Sequence, residues 1–150
     1  MWAMDTRDAS NKGGFPALLH LTFILQQVSD ELLLKEVGIG LSQARIMSVL
    51  HPSVAKYQRS VATALSQTEA NVSRQLRVMK KDGLVHVAKN KKDGRQKDVT
   101  LTVKGVKKYD QAKDILKDQQ SRLLKLLSNS EVEAFEHATR NLSAQHGRRS

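Results

Sequence analysis

The chain contains no cysteine among its 150 residues. Disulfide staples, thiolate zinc sites and cysteine redox sensing are therefore excluded. Aromatic residues are scarce: one Trp, two Tyr and three Phe. Long apolar runs are missing too. The longest, Phe15–Val28, is interrupted by His20, Thr22, Gln26 and Gln27, and it falls short of the roughly 18 apolar residues a membrane span needs. It also lacks the basic flank and small-residue cleavage site of a signal peptide. No membrane partner is expected, and the cytoplasm is the expected location. Acidic residues are the last shortage. Fifteen Asp/Glu face 25 Lys/Arg, for a net charge of +10. That balance favours an anionic partner and says nothing about fold. There is no glycine-rich phosphate loop, nucleophile elbow or paired-carboxylate motif, so no enzyme and no cofactor are expected. His20, His51, His86, His137 and His146 are scattered without an i, i+4 pair, and no metal site is expected.

What is present is unevenly placed. Residues 70–108 hold twelve Lys/Arg against three Asp, a net of +9, and contain no aromatic residue. Within them, Lys89–Gly105 reads KNKKDGRQKDVTLTVKG. It gathers five lysines and one arginine around an Asp-Gly turn, then alternates as VTLTV. Two strands are expected, Leu84–Lys89 and Asp98–Val103, with Val99, Leu101 and Val103 on one face.

The rest of the chain reads as helix. Residues 1–14 are polar and without period, a flexible tail. Pro16 suits a helix start, and Leu18, Leu21, Leu25, Val28 and Leu32 then form a stripe ended by Gly38 and Gly40. Ser42 is placed to cap a helix over Gln43–Leu50. Ser60 precedes a brief helix, Val61–Leu65. Thr68 is placed to cap Glu69–Lys81, with Val72, Leu76 and Met79 inward, and Gly83 suits a left-handed helix end. A long helix is expected from Lys104 to about Leu127, with Tyr109, Ala112, Leu116, Leu123 and Leu127 on one face. Ser128 and Glu131 then form a capping box. The last helix, Glu131–Ser143, aligns Val132, Phe135, Thr139 and Leu142. The amphipathic segments at the two ends carry more apolar face than one small domain can cover.

A short helix, a turn, a longer helix and a basic hairpin make a winged helix-turn-helix. Asp93, Arg95, Val99, Leu101, Thr102 and Gly105 fill a pattern that resembles the wing of the MarR family of transcription regulators. LSQARIMSVL, SVATALSQTEANVSRQLRVMKKDGLV and LLKLLSNSEVEAF are similar to further family segments, so the resemblance spans about residues 17–143. The sequence departs from the pattern at Ser66, usually glycine, at Gln67, usually apolar, and at Val87 and Ala88, where a basic residue is common.

The resemblance implies a mainly α fold with a small two-stranded β-hairpin. The winged helix-turn-helix would occupy about residues 42–104 of a single domain over 15–150. Dimerisation helices would span about 16–37 and 105–143. It implies a homodimer on a pseudo-palindromic double-stranded DNA operator, acting as a ligand-responsive repressor. Asn71, Ser73, Arg74 and Arg77 become candidates for the major groove, where Asn pairs with adenine and Arg with guanine. Arg95 would enter the minor groove, oriented by Asp93. Lys89, Lys91, Lys92 and Lys97 would meet phosphate, with Gln58, Ser60 and Thr68 as further backbone contacts. A small anionic or phenolic ligand would lie near His20, Met47 and Tyr109. The alternative is a winged-helix module for RNA or protein contact without operator specificity. RNA readers usually display aromatic platforms, which the basic stretch lacks.

Overall fold

The computed structural model describes residues 16–146. The expected N-terminal tail, residues 1–14, lies outside them. Six helices and three strands follow in the order α1 (Ala17–Glu36), α2 (Leu41–Leu50), β1 (Lys56–Tyr57), α3 (Gln58–Ala64), α4 (Glu69–Lys81), β2 (Val85–Lys89), β3 (Lys97–Leu101), α5 (Val103–Leu124) and α6 (Asn129–His146).

Helix boundaries are set by caps. Thr68 accepts a hydrogen bond from the Asn71 amide at 3.2 Å and opens α4. Three helices end on a left-handed residue: Gly38 (φ 78°), Ser66 (φ 52°) and Gly83 (φ 72°). After α3 the Gln67 amide reaches Ala62 O and the Ser66 amide reaches Thr63 O. After α4 the Leu84 and Gly83 amides reach Met79 O and Lys80 O in the same way. Both are Schellman closures, which satisfy carbonyls that the helix leaves orphaned. Ser66 holds a conformation that usually favours glycine, so the helix-turn-helix corner keeps its shape despite the substitution in the family pattern.

The cap of α2 differs from the sequence expectation. Ser42 is the second helical residue, not the cap. The free amides at that helix start are taken from elsewhere: Leu41 N–H donates to Asp30 Oδ1 on α1 at 2.7 Å, and Gly40 N–H donates to Gln43 Oε1 at 3.1 Å. Ser60 likewise lies inside α3, which begins two residues earlier at Gln58. The Ser128–Glu131 capping box forms as expected, with Ser128 N–H donating to Glu131 Oε2 at 2.7 Å and Glu131 N–H to Ser128 Oγ at 3.3 Å. The bond from the Ser128 amide, and then the Ser128 hydroxyl, favour the charged form of the Glu131 carboxyl and hold it below its ordinary value.

The sheet has three strands, not two. Its order is β1-β3-β2, antiparallel throughout. Lys56–Tyr57 pairs with Asp98–Val99, and the short loop after α2 thereby becomes part of the wing. The register places Val85 opposite Leu101 and Val87 opposite Val99. Val85, Val99 and Leu101 are buried. Val103, expected on that same face, is instead the first residue of α5 and is exposed.

One core joins these elements. It gathers Leu33 of α1, Ile46, Met47 and Leu50 of α2, Val61 of α3, Val72, Leu76 and Met79 of α4, the β2–β3 face, and Ala112 of α5. All of it lies in the winged region and the helix segments touching it. The outer parts of α1, α5 and α6 behave otherwise. Within α1 only Leu33 is buried, and none of the residues 129–145 of α6 is buried. Leu18, Phe23, Ile24 and Val28 of α1, and Phe135 and Leu142 of α6, stay exposed, Phe23 at 63%. Burying such a side chain is worth about 1.5–3 kcal/mol, so these helices leave a large stabilisation unused within one chain.

Candidate nucleic-acid interface

Helix α4 presents two unlike faces. Val72, Leu76 and Met79 are wholly or almost wholly buried, whereas Arg74, Arg77 and Lys81 are exposed on the other side. Ser73 and Asn71 lie at the flanks and are half-buried. Among the described residues, neither Arg74 nor Arg77 has a carboxylate within salt-bridge distance. Two free guanidinium groups on one helix face suit any planar, doubly accepting target.

Asn71 is less free than its sequence position suggests. Its Nδ2 donates to Gln67 Oε1 at 3.0 Å, and Gln75 Nε2 donates to the same oxygen at 3.2 Å. Gln67 thus binds two successive turns of α4 through one side chain, and its own amide closes the α3 corner. This explains a polar residue where the family pattern is apolar. Gln75 Oε1 remains buried without a partner. Any base contact through Asn71 Nδ2 must compete with Gln67.

The β2–β3 hairpin is built to hold charge outward. Lys89 and Lys97 sit directly opposite each other in the register, and both are exposed. Like charges so placed repel across a ladder, and no described carboxylate neutralises either. Beyond them Lys91, Lys92 and Arg95 are exposed as well. The loop between is ordered by Asn90, which the sequence reading did not single out. Asn90 Oδ1 accepts from the amides of Lys92 (2.8 Å) and Asp93 (2.9 Å), while its Nδ2 donates to both Asp98 carboxylate oxygens at 3.1 Å. The signal was legible as an Asn followed by a turn, since Asn side chains close such loops on their own backbone. Asp93 acts on Arg95 through the backbone: its Oδ1 accepts the Arg95 N–H at 3.1 Å. Among the described residues, Asp93 forms no ion pair with the Arg95 guanidinium. Removing the Asn90 side chain is expected to raise amide exchange at Lys92 and Asp93 while leaving α4 unchanged. Unaltered protection of those two amides in Asn90→Ala would remove the loop-ordering role.

The remaining candidates separate. Gln58 is half-buried at the start of α3 and Ser60 is exposed on it. The Thr68 hydroxyl is occupied as the α4 cap. His20 is exposed on α1, Met47 lies fully in the core, and Tyr109 on α5 packs its ring 4.8 Å from His51. These three do not form one lining, because Met47 offers no surface to a ligand in this conformation. A polar cluster that the sequence did not reveal surrounds Tyr109 instead. His51 Nε2 lies 3.2 Å from Asp110 Oδ1, and Lys113 Nζ lies 3.6 Å from the same oxygen. It ties the end of α2 to α5.

Among the described residues, no group of three or more His, Asp or Glu is disposed to hold a metal ion. No described helix is long and apolar enough to cross a membrane.

No family model and no curated protein sequence matches the chain. Solved structures do. The Staphylococcus aureus MepR–DNA complex is 25% identical and covers 85% of this chain and 94% of its own, with a TM-score of 0.72. Wild-type MarR from Escherichia coli is 22% identical, with 86% and 98% covered and a TM-score of 0.69. The transcriptional repressor CouR, bound to a 23-mer DNA duplex, is 20% identical, with 85% and 90% covered and a TM-score of 0.76. The shared extent runs over nearly the whole length of each.

Proposed function

We propose that this chain, which has the fold of the MarR-type winged helix-turn-helix regulators, is a DNA-binding transcription regulator that acts as a homodimer on a pseudo-palindromic site. The observation that carries the reading is the pairing of two cation-bearing surfaces on elements that share one core. Arg74 and Arg77 on α4 and Lys89, Lys91, Lys92, Arg95 and Lys97 on the hairpin are joined by a single Gly83 turn. Two of the similar structures hold DNA, which supports the same partner here.

In this reading α4 lies in the major groove. Arg74 and Arg77 read base edges, guanine being the natural bidentate partner. Ser73 keeps the helix close to the duplex. Asn71 contributes to adenine only when its bond to Gln67 yields. The hairpin tip carries Arg95 into the minor groove, where narrow A·T-rich sequence concentrates negative potential. Lys89, Lys91, Lys92 and Lys97 contact phosphate and relieve their mutual repulsion there. Gln58 and Ser60 are secondary backbone contacts.

The apolar outer faces of α1 and α6, with the end of α5, supply the dimer contact. Helices about 16–37 and 105–143 form the shared body, and the winged units over about 42–104 hang from it. Two-fold symmetry would set half-site centres about 10 bp apart, or a multiple of that. Repression is the favoured outcome, because a dimer seated on a promoter excludes other proteins. Release by a small anionic or phenolic ligand would need Met47 or its neighbours to become accessible.

A salt titration tests the electrostatic part. If each protomer neutralises the phosphates facing its four wing lysines, the logarithm of the binding constant should fall with a slope near −0.9 for each contact against the logarithm of salt. A flat titration on duplex DNA, or tighter binding to single strands or structured RNA, would replace this reading with another nucleic-acid role.

A further inference from the structure

Three lysines follow the hairpin, at 104, 107 and 108, and by charge alone they extend the cationic surface. Geometry separates two of them from it. Lys104 Nζ donates to the Asp82 carbonyl, at the C-terminal cap of α4, at 2.8 Å. One turn further along α5, Lys108 Nζ donates to the Val37 carbonyl, at the C-terminal cap of α1, at 2.7 Å. Helix C-termini leave orphan carbonyls with negative partial charge, and an ammonium group satisfies both deficits at once. The same α5 turn grips the end of α4 by other means. The Thr102 hydroxyl donates to Gly83 O at 2.6 Å while accepting from the Gly105 amide at 2.9 Å. Thr102 N–H donates to Leu84 O at 3.1 Å. Gly105 presses so closely that a Cβ there would overlap the Leu84 carbonyl oxygen and meet its carbon at 3.1 Å.

We propose that Lys104 and Lys108 are positioning residues that lock the recognition helix and the N-terminal dimerisation helix to one strut, α5, and so fix the separation of the two recognition helices in the dimer. The inference rests on the homodimer reading above. Its physical basis is that the two ammonium groups, one turn apart on α5, hold the C-termini of α4 and α1 respectively. A rigid-body error at either cap is carried directly into the position of α4. Neither lysine needs to touch DNA for this.

The absence of cysteine makes the test direct. Lys80, exposed on α4 and outside the set of residues assigned to DNA, is replaced by cysteine and spin-labelled in the full chain. Pulsed dipolar spectroscopy then reports the distance between the two recognition helices of the dimer without DNA. The parent should give one narrow distance peak. Lys104→Met with Lys108→Met should at least double its width or shift its centre. Lys104→Arg with Lys108→Arg, which keeps a donor at both caps, should restore it. Circular dichroism verifies helix content, and Lys104→Met alone, at an exposed site, gives the smaller but same-direction broadening if the double variant does not fold. An unchanged distribution in the methionine variants overturns the proposal. So does an unchanged distribution accompanied by a lower salt slope on DNA, which would make the lysines phosphate contacts. A parent sample with no dipolar signal would instead defeat the dimer reading, and the proposal with it.

Discussion

Phe23→Asp combined with Ile24→Asp is expected to yield a folded monomer that no longer holds a two-half-site DNA duplex. Both side chains are exposed in the single chain, at 63% and 41%, so neither contributes to the core around Met47 and Leu76. The substitutions should leave the melting temperature of the winged region nearly unchanged, since surface changes away from packing are usually within about 0.5 kcal/mol. In the proposed dimer the same positions would be buried against a partner, and an unpaired carboxylate there would cost several kcal/mol per ion. Dissociation removes the gain from tethering two half-site contacts together, which is on the order of 10²–10⁴ in affinity. Sedimentation equilibrium with a gel-shift titration checks both halves. A variant that remains dimeric would move the interface away from α1. A monomer that still binds with parental affinity would show that one winged unit suffices.

Arg74→Ala should carry the second large effect. Its guanidinium has no described intramolecular partner, so truncation leaves no buried charge behind and the loss reads on the DNA contact alone. A bidentate contact to guanine is worth about 1–3 kcal/mol, and the proposed dimer would make it twice. The specific site should therefore weaken by about 2–6 kcal/mol, with base preference relaxed at one position in each half-site. Arg95→Ala differs in kind: its loss should be greatest where the flanking sequence is A·T-rich. Equal losses for Arg74→Ala on specific and random duplexes would reassign that arginine to the phosphate backbone.

How much of this was written in the sequence depends on the range of the interaction. Thr68, Gly83 and the Ser128–Glu131 box act within one turn of chain, and their residue types announce them. The faces of α4 follow from a 3.6-residue period that the chain obeys through Val72, Leu76 and Met79. β1 did not announce itself. Lys56 and Tyr57 are two exposed residues with no alternation, and they are a strand only because β3 lies beside them. The cap of α2 failed for a related reason, since its acceptor, Asp30, sits eleven residues back on another helix.

The shape of the hairpin was legible because D-G-R and the alternating VTLTV encode a turn and a ladder. His20, Met47 and Tyr109 come from three helices, and periodicity gives the face of each but not the distance between them. The charge count misled in one respect. Lys104 and Lys108 belong to the net charge of residues 70–108, yet their ammonium groups are engaged by backbone carbonyls. Composition records a charge and not what it faces.

Selection from a pool of random DNA duplexes by this chain at moderate salt is the most direct test of operator binding. Enrichment of a two-fold symmetric sequence is expected, with half-site centres separated by about 10 bp or a multiple and with guanine at the positions facing Arg74 and Arg77. Recovery of unenriched duplexes, or of a single asymmetric motif bound by one chain, would contradict it.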